Sequence, residues 1–152
     1  MYPARTGQKQ HTPWGFCFHT RMTTGPRLTL SVLSGEYAVT QLPPGSRLPA
    51  WATAGELWAV VGAPGEVSVV TAAENVPDGV QAEGGWTALR LHGPFPFHLT
   101  GILAAVLNPL RDADVGIFAL STFDTDYVLV KAARLADALA ALRRAGHEIT
   151  NA

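Results

Sequence analysis

The spacing of apolar residues in the second half of the chain restricts its fold more than any other feature of the sequence. Between positions 99 and 112 the apolar residues recur at intervals of three and four, as on one face of an α-helix. They are Ile102, Leu103, Val106, Leu107 and Leu110. This spacing predicts a helix from Leu99 to Asp112, and Pro109 near its end is expected to bend the helix or end it early.

A second helix is predicted from Lys131 to Ala145, with Gly146 as its C-terminal cap. Four segments with strand-like patterns surround the two helices, and they cover residues 86–92, 115–120, 126–130 and 147–149. The resulting order is β-α-β-β-α-β. This order is typical of the ferredoxin-like plan, in which two helices cover one face of an antiparallel sheet.

The first half of the chain looks like a shortened version of the second. Residues 46–54 are expected to form one or two helical turns among four predicted strands, which cover residues 28–33, 36–42, 56–62 and 66–71. We therefore predict an α+β protein of two tandem ferredoxin-like units packed as one body. The predicted units span residues 28–84 and 85–152.

Charge and hydropathy limit the classes of partner. Residues 28–152 contain 7 basic and 12 acidic side chains, so this part is acidic and a nucleic-acid-binding surface is not expected. No apolar run approaches the roughly 20 residues that a membrane-spanning helix needs, so no membrane partner is expected. Hydrophobic residues make up 47% of the 152 residues, which indicates a globular chain with its own core.

The first 27 residues differ from the rest, because they carry four basic side chains and no acidic one. We expect them to be a disordered extension or, upstream of Met22, an extension of the reading frame. They contain no apolar stretch of the roughly 7–15 residues that a secretory signal has. Cys17 is the only cysteine, which excludes an internal disulfide and favours a reducing, cytoplasmic location.

A polar loop, Ser121 to Tyr127 (STFDTDY), interrupts two strongly apolar strands. Asp124 and Asp126 in this loop supply negative charge suited to an ammonium group. The start of the first predicted helix supplies unbonded backbone N–H groups suited to a carboxylate, and Gly101 would let a ligand approach the backbone. An α-amino acid needs both kinds of contact, so the sequence predicts an amino-acid site.

The segment LTGILAAVLNPLRDADVGIFALSTFDTDYVLVK resembles the ACT domain, in the subgroup of the CASTOR arginine sensors and of aspartokinase regulatory parts. The resemblance covers residues 28–150 and is strongest over residues 86–147. It implies tandem βαββαβ units that regulate rather than catalyse. It also implies that an amino acid binds between neighbouring units, within one chain or across a homodimer.

The resemblance also implies the ligand contacts: Leu99, Thr100, Gly101, Ile102, Thr122, Phe123, Asp124 and Asp126. Backbone groups of Gly101 and Ile102 would hold one end of the ligand, and Asp126 would face a cationic group. The arginine sensors have an acidic residue at the position of Leu99. A neutral or apolar amino acid is therefore a better expectation than arginine.

Each of these residues also has a purely structural interpretation. Asp126 would simply begin a strand by bonding turn amides, and Thr100 would cap the helix. Phe95, Phe97 and Phe123 are more often core residues than parts of a ligand site. The competing function is that of a protein-interaction module without a ligand.

No catalytic pattern emerges from the sequence. His98, Ser121 and Asp126 lack the G-x-S-x-G elbow of a hydrolase, and the chain has neither a phosphate-binding loop nor a dinucleotide glycine fingerprint. None of the five histidines pairs with another at i, i+4 on a helix. We therefore predict no catalytic residue, no metal ligand and no cofactor.

Overall fold

The computed structural model describes residues 25–151. The segment predicted to be an extension, including the alternative start at Met22, lies outside this range except for its last three residues. The described part contains two α-helices, α1 (Ile102–Asp112) and α2 (Leu135–Arg144). Its eight strands are β1 (Thr29–Val32), β2 (Tyr37–Leu42), β3 (Ala59–Ala63), β4 (Glu66–Ala72), β5 (Ala82–Leu91), β6 (Ile117–Ser121), β7 (Asp126–Lys131) and β8 (Glu148–Asn151). The predicted α+β class is confirmed.

All eight strands belong to one sheet, and the long strand β5 joins its two halves. The order along the main path is β3-β4-β2-β5-β1-β8, while β7 pairs with the other edge of β5 and β6 pairs with β7. The first part of β5 pairs with β2 at Trp86 and Tyr37, and its end pairs with β1 at Leu91 and Leu30. Strands β1 and β2 therefore run in succession along one edge of β5.

The sheet is mixed rather than wholly antiparallel, because β1 lies between β5 and β8. β1 is antiparallel to β5 and parallel to β8. The sequence order β-α-β-β-α-β did not reveal this insertion. Leu30 of β1 is fully buried and takes part in the same core as Leu89 and Leu91 of β5, so the first half of the chain supplies part of the second half's core.

The first half has the predicted strands but no α-helix among its described residues. The stretch expected to be helical contains a single 3₁₀ turn, Ala50–Thr53. Pro49 precedes this turn, and Gly55 follows it with a φ of 100°, so extended and left-handed backbone limit its length. Strand β5 crosses the boundary that was predicted after residue 84. The division of the chain into two units stays a prediction.

The main core lies between the sheet and the two helices. Its fully buried members include Leu89 of β5, Val128 and Val130 of β7, Leu110 of α1 and Leu142 of α2. Burying one such side chain contributes about 1.5–3 kcal/mol. This layer holds the start of α1 against the sheet.

A second core lies on the other face of the sheet, where Tyr37 packs with Leu57, Val70, Ala88 and Leu129. Only 3% of the surface of Tyr37 is exposed. Burial raises the pKa of its phenol above the ordinary value of about 10, and the nearby Glu56 and Tyr127 raise this pKa further.

This shift predicts a loss of stability in strong base. The pKa of Tyr37 is higher in the folded protein than in the unfolded chain. Its contribution to the free energy of unfolding is therefore fully present below the unfolded-chain pKa of about 10, and it is lost as the pH rises through the folded-state pKa. Urea unfolding from about pH 8 to pH 11 should show this loss, and Tyr37→Phe should reduce it. Parallel pH profiles for the two proteins would contradict the prediction.

No α-helix in the described part of the chain is long and apolar enough to cross a membrane.

Candidate functional site

Two cavities border the start of α1. One is a pocket of about 180 Å³ between residues 95–102 and residues 121–126, which we call the loop pocket. The other is a groove of about 750 Å³ between α1, the end of α2 and residues 25–27, which we call the helix groove.

The eight predicted ligand contacts divide between these cavities. The loop pocket is lined by six of them: Leu99, Ile102, Thr122, Phe123, Asp124 and Asp126. Thr100 and Gly101 instead line the helix groove. The ligand-binding role of all eight stays a prediction. The structure adds that Ile102, rather than Gly101, shares a cavity with Asp126.

The hydroxyls of the polar loop hold its tight turn. The backbone N–H of Thr122 donates to the carbonyl oxygen of Thr125 at 2.8 Å. Thr122 Oγ1 donates to the same oxygen at 2.9 Å and accepts the N–H of Thr125 at 3.2 Å. Thr125 Oγ1 donates to the carbonyl oxygen of Leu91 at 2.7 Å, which ties the turn to the end of β5. Much of the loop's polarity is therefore structural.

Asp126 is both a strand residue and a wall of the loop pocket. It is the first residue of β7 and pairs with Ser121, whose hydroxyl donates to Asp126 Oδ1 at 2.5 Å. Its Oδ2 has no hydrogen-bond partner within residues 25–151. One oxygen therefore serves the strand pair, and the other is available to a ligand.

Gly93 allows the two walls of the loop pocket to approach each other. The backbone N–H of Phe95 donates to the carbonyl oxygen of Asp124 at 2.8 Å. A Cβ atom on Gly93 would lie 2.5 Å from that same oxygen and 3.2 Å from Cβ of Thr125. In the sequence Gly93 directly precedes Pro94, a pair typical of a break after a strand, but nothing there showed what the glycine would contact.

Two phenylalanines of the loop pocket are not core residues, so the structural interpretation of Phe97 and Phe123 was wrong. Phe97 is 77% exposed and Phe123 is 79% exposed. Their rings meet edge to face with centroids 5.1 Å apart. Phe95, by contrast, packs against the main core as expected.

The start of α1 lacks a side-chain cap. Gly101 occupies the N-cap position with a φ of 81°, and Thr100 does not cap the helix. Among the described residues, the backbone N–H groups of Ile102, Leu103 and Ala104 have no hydrogen-bond partner. They carry the positive end of the helix dipole.

His147 lines the helix groove. Its hydrogen bonds also explain how α1 accommodates Pro109. His147 Nδ1 accepts the N–H of Leu28 at 3.2 Å, and His147 Nε2 donates to the carbonyl oxygen of Ala105 at 2.9 Å. Proline has no N–H to bond the oxygen four residues before it, which here is that of Ala105. His147 supplies the missing donor. Of the two expected effects of Pro109, an early end of the helix does not occur, since α1 continues to Asp112, the predicted last residue.

Within residues 25–151 no cluster of three or more His, Cys, Asp or Glu side chains is arranged to hold a metal ion. In the same part of the chain, no hydrogen bond joins His98 to Ser121 or Asp126, the three residues considered above as a hydrolase triad.

Most of the second half of the chain matches a known protein family. The family model described as ACT domain matches residues 81–144, which contain β5 from its start and extend to the end of α2. Residues 81–144 belong to the ACT domain family. The predicted resemblance is thus confirmed at the level of the family, whose members are regulatory modules. The closer kinship with arginine sensors and the tandem arrangement stay predictions.

Solved structures show similarity over most of the chain. Protein Atu0741 from Agobacterium tumefaciens is 35% identical, with a TM-score of 0.79 over 84% of this chain and 95% of that one. A Vibrio cholerae protein, VC0802, described as of unknown function and a possible transport protein, is 18% identical with a TM-score of 0.63 over 78% of this chain and 89% of its own.

The regulatory subunit of aspartate kinase from Thermus thermophilus, in its ligand-free form, is 12% identical. Its TM-score is 0.56 over 80% of this chain and 98% of its own. At such identities the similarity to the Vibrio and Thermus proteins shows a shared fold. No curated protein matches the chain.

Proposed function

We propose that this ACT protein is a non-catalytic regulatory protein of the cytoplasm that binds an α-amino acid in the loop pocket. The observation that carries the proposal is the meeting of residues 95–102 with residues 121–126 around one cavity. This cavity contains the carboxylate of Asp126 and borders the uncapped start of α1 at Ile102.

The chemistry of the walls supports an orientation for the proposed ligand. The ammonium group would face Asp126 Oδ2, because Ser121 already occupies Oδ1. The carboxylate would face the unbonded backbone N–H groups of the first turn of α1, which favour an anion. Phe97, Leu99 and Phe123 belong to the apolar part of the wall, so a neutral or apolar amino-acid side chain fits better than arginine.

A second copy of the chain would complete the site. Phe97 and Phe123 expose large apolar surfaces at the mouth of the loop pocket, which is typical of surfaces that a partner covers. Strand β6 is an outer strand that ends at this pocket, and its sequence IFALS contains no charge or proline to prevent pairing. We propose a homodimer through this edge, in which ligand binding and self-association share a coupling free energy.

Isothermal titration of the protein with the twenty amino acids tests the proposal. One or a few neutral amino acids should bind, and Asp126→Asn should weaken their binding at least about tenfold, because the amide keeps an acceptor for Ser121 but removes the charge. Asp78→Asn, in an exposed loop outside both cavities, is the control and should bind normally. A flat series with wild-type protein would instead favour the interaction module without a ligand.

A further inference from the structure

The helix groove carries a second inference, which does not depend on the proposed amino-acid site. It is the larger cavity, about 750 Å³, and its walls combine small apolar side chains with two arginines. The apolar wall is formed by Ala104, Ala105 and Pro109 of α1, and the arginines are Arg27 and Arg144.

The two arginines lack a counter-charge in the described part of the chain. Neither Arg27 nor Arg144 forms an ion pair within residues 25–151. The one carboxylate in the wall is that of Asp112, and it is bonded to Arg111 at 2.7 Å. Residues 25–151 hold 8 basic and 12 acidic side chains, whereas the wall of the groove holds two arginines and one aspartate, so its charge is opposite in sign to the overall charge.

Arg27 is an exposed side chain that lies beside Gly146, and both residues line the groove. Gly146 has a φ of 92°, and a Cβ atom there would lie 3.4 Å from Arg27 Nε and 3.8 Å from its Cδ and Cγ. The arginine side chain therefore lies next to Gly146, two residues beyond the end of α2. The negative end of the α2 dipole accounts for one cation at this place, but dipole compensation does not require a cavity beside two of them.

We infer that the helix groove binds a small phosphate monoester. Such a group carries a charge of about −1.5 to −2 at neutral pH, which two guanidinium groups can balance. Guanidinium groups also match the oxygen geometry of phosphate with paired N–H donors. The apolar wall would contact the carbon skeleton of the ester.

Titration of the full chain with inorganic phosphate and with phenyl phosphate tests this site, with sodium chloride at matched ionic strength as the salt control. The phosphates should raise the melting temperature and shift backbone amide NMR signals of Gly101, Ala104 and Gly146. Phenyl phosphate should bind more tightly than inorganic phosphate, because its ring gains apolar contact. Arg27→Gln and Arg144→Gln should each weaken binding about tenfold.

Arg143→Gln is the matched control, since Arg143 is an exposed neighbour on the same helix end that does not line the groove. It should bind both phosphates like the wild type. Wild-type affinity in the Arg27 or Arg144 variant, an equal effect of chloride, or amide shifts away from the groove would overturn the inference. Because Asp126→Asn should leave phosphate binding unchanged, failure of the amino-acid site is distinguishable from failure of this one.

Discussion

We expect His147→Ala to lower the free energy of unfolding by about 3 kcal/mol. The imidazole is buried, and it is the partner of two backbone groups: the N–H of Leu28 in the segment before β1, and the carbonyl oxygen of Ala105 in α1. Alanine would leave both groups without a protein partner. Leaving a buried polar group unpaired costs about 1–3 kcal/mol.

Pro109 makes this prediction specific. Pro109→Ala restores an N–H that can bond the oxygen of Ala105 within the helix. In the protein that already carries His147→Ala, Pro109→Ala should therefore recover about 1–2 kcal/mol beyond its effect in the wild type. Urea unfolding of the wild type, both single variants and the double variant gives this coupling energy directly. Strict additivity would show that His147 does not replace the missing helix donor.

The second large effect is expected for Gly93→Ala. The added Cβ would meet the carbonyl oxygen of Asp124 at 2.5 Å, and since that oxygen belongs to the backbone, the loop must move. Movement breaks the hydrogen bond from the N–H of Phe95 to Asp124, and it separates the two walls of the loop pocket. We expect a destabilisation of about 2 kcal/mol and at least about a tenfold loss of amino-acid affinity.

Gly116→Ala is the matched control for Gly93. No atom lies within 4 Å of a Cβ atom at Gly116, and its φ is not in the left-handed region. It should unfold and bind ligand like the wild type. Urea unfolding measures the first effect and calorimetric titration the second. Wild-type stability of Gly93→Ala would refute the close approach of the two walls, whether or not an amino acid binds.

The second half of the fold followed from local pattern. Apolar residues at intervals of three and four predicted both helices, and alternation predicted the strands around them, because the side of an element that faces the core is written in its own sequence. α1 begins three residues later than predicted, at Ile102, since Gly101 adopts the left-handed conformation of its N-cap.

The candidate site was only partly predictable. The polar loop identified Thr122, Asp124 and Asp126 as neighbours of one cavity, because loop residues between paired strands stay together. The assignment of Gly101 and Ile102 to different cavities depends on the direction of the first turn of α1. The exposure of Phe97 and Phe123 depends on which loops pass over them. The sequence could not show this, because phenylalanine is usually buried in the core.

The sequence by itself determined the strands and helices of the second half, the acidic character of residues 28–152 and the polarity of the loop between β6 and β7. Only the tertiary structure decided that β1 separates β5 from β8, that Gly93 touches Asp124, and that His147 bonds Leu28 and Ala105. The physical reason is distance along the chain: His147 and Leu28 are 119 residues apart. Periodicity states which side of an element is buried, but it contains no information on which distant element will cover it.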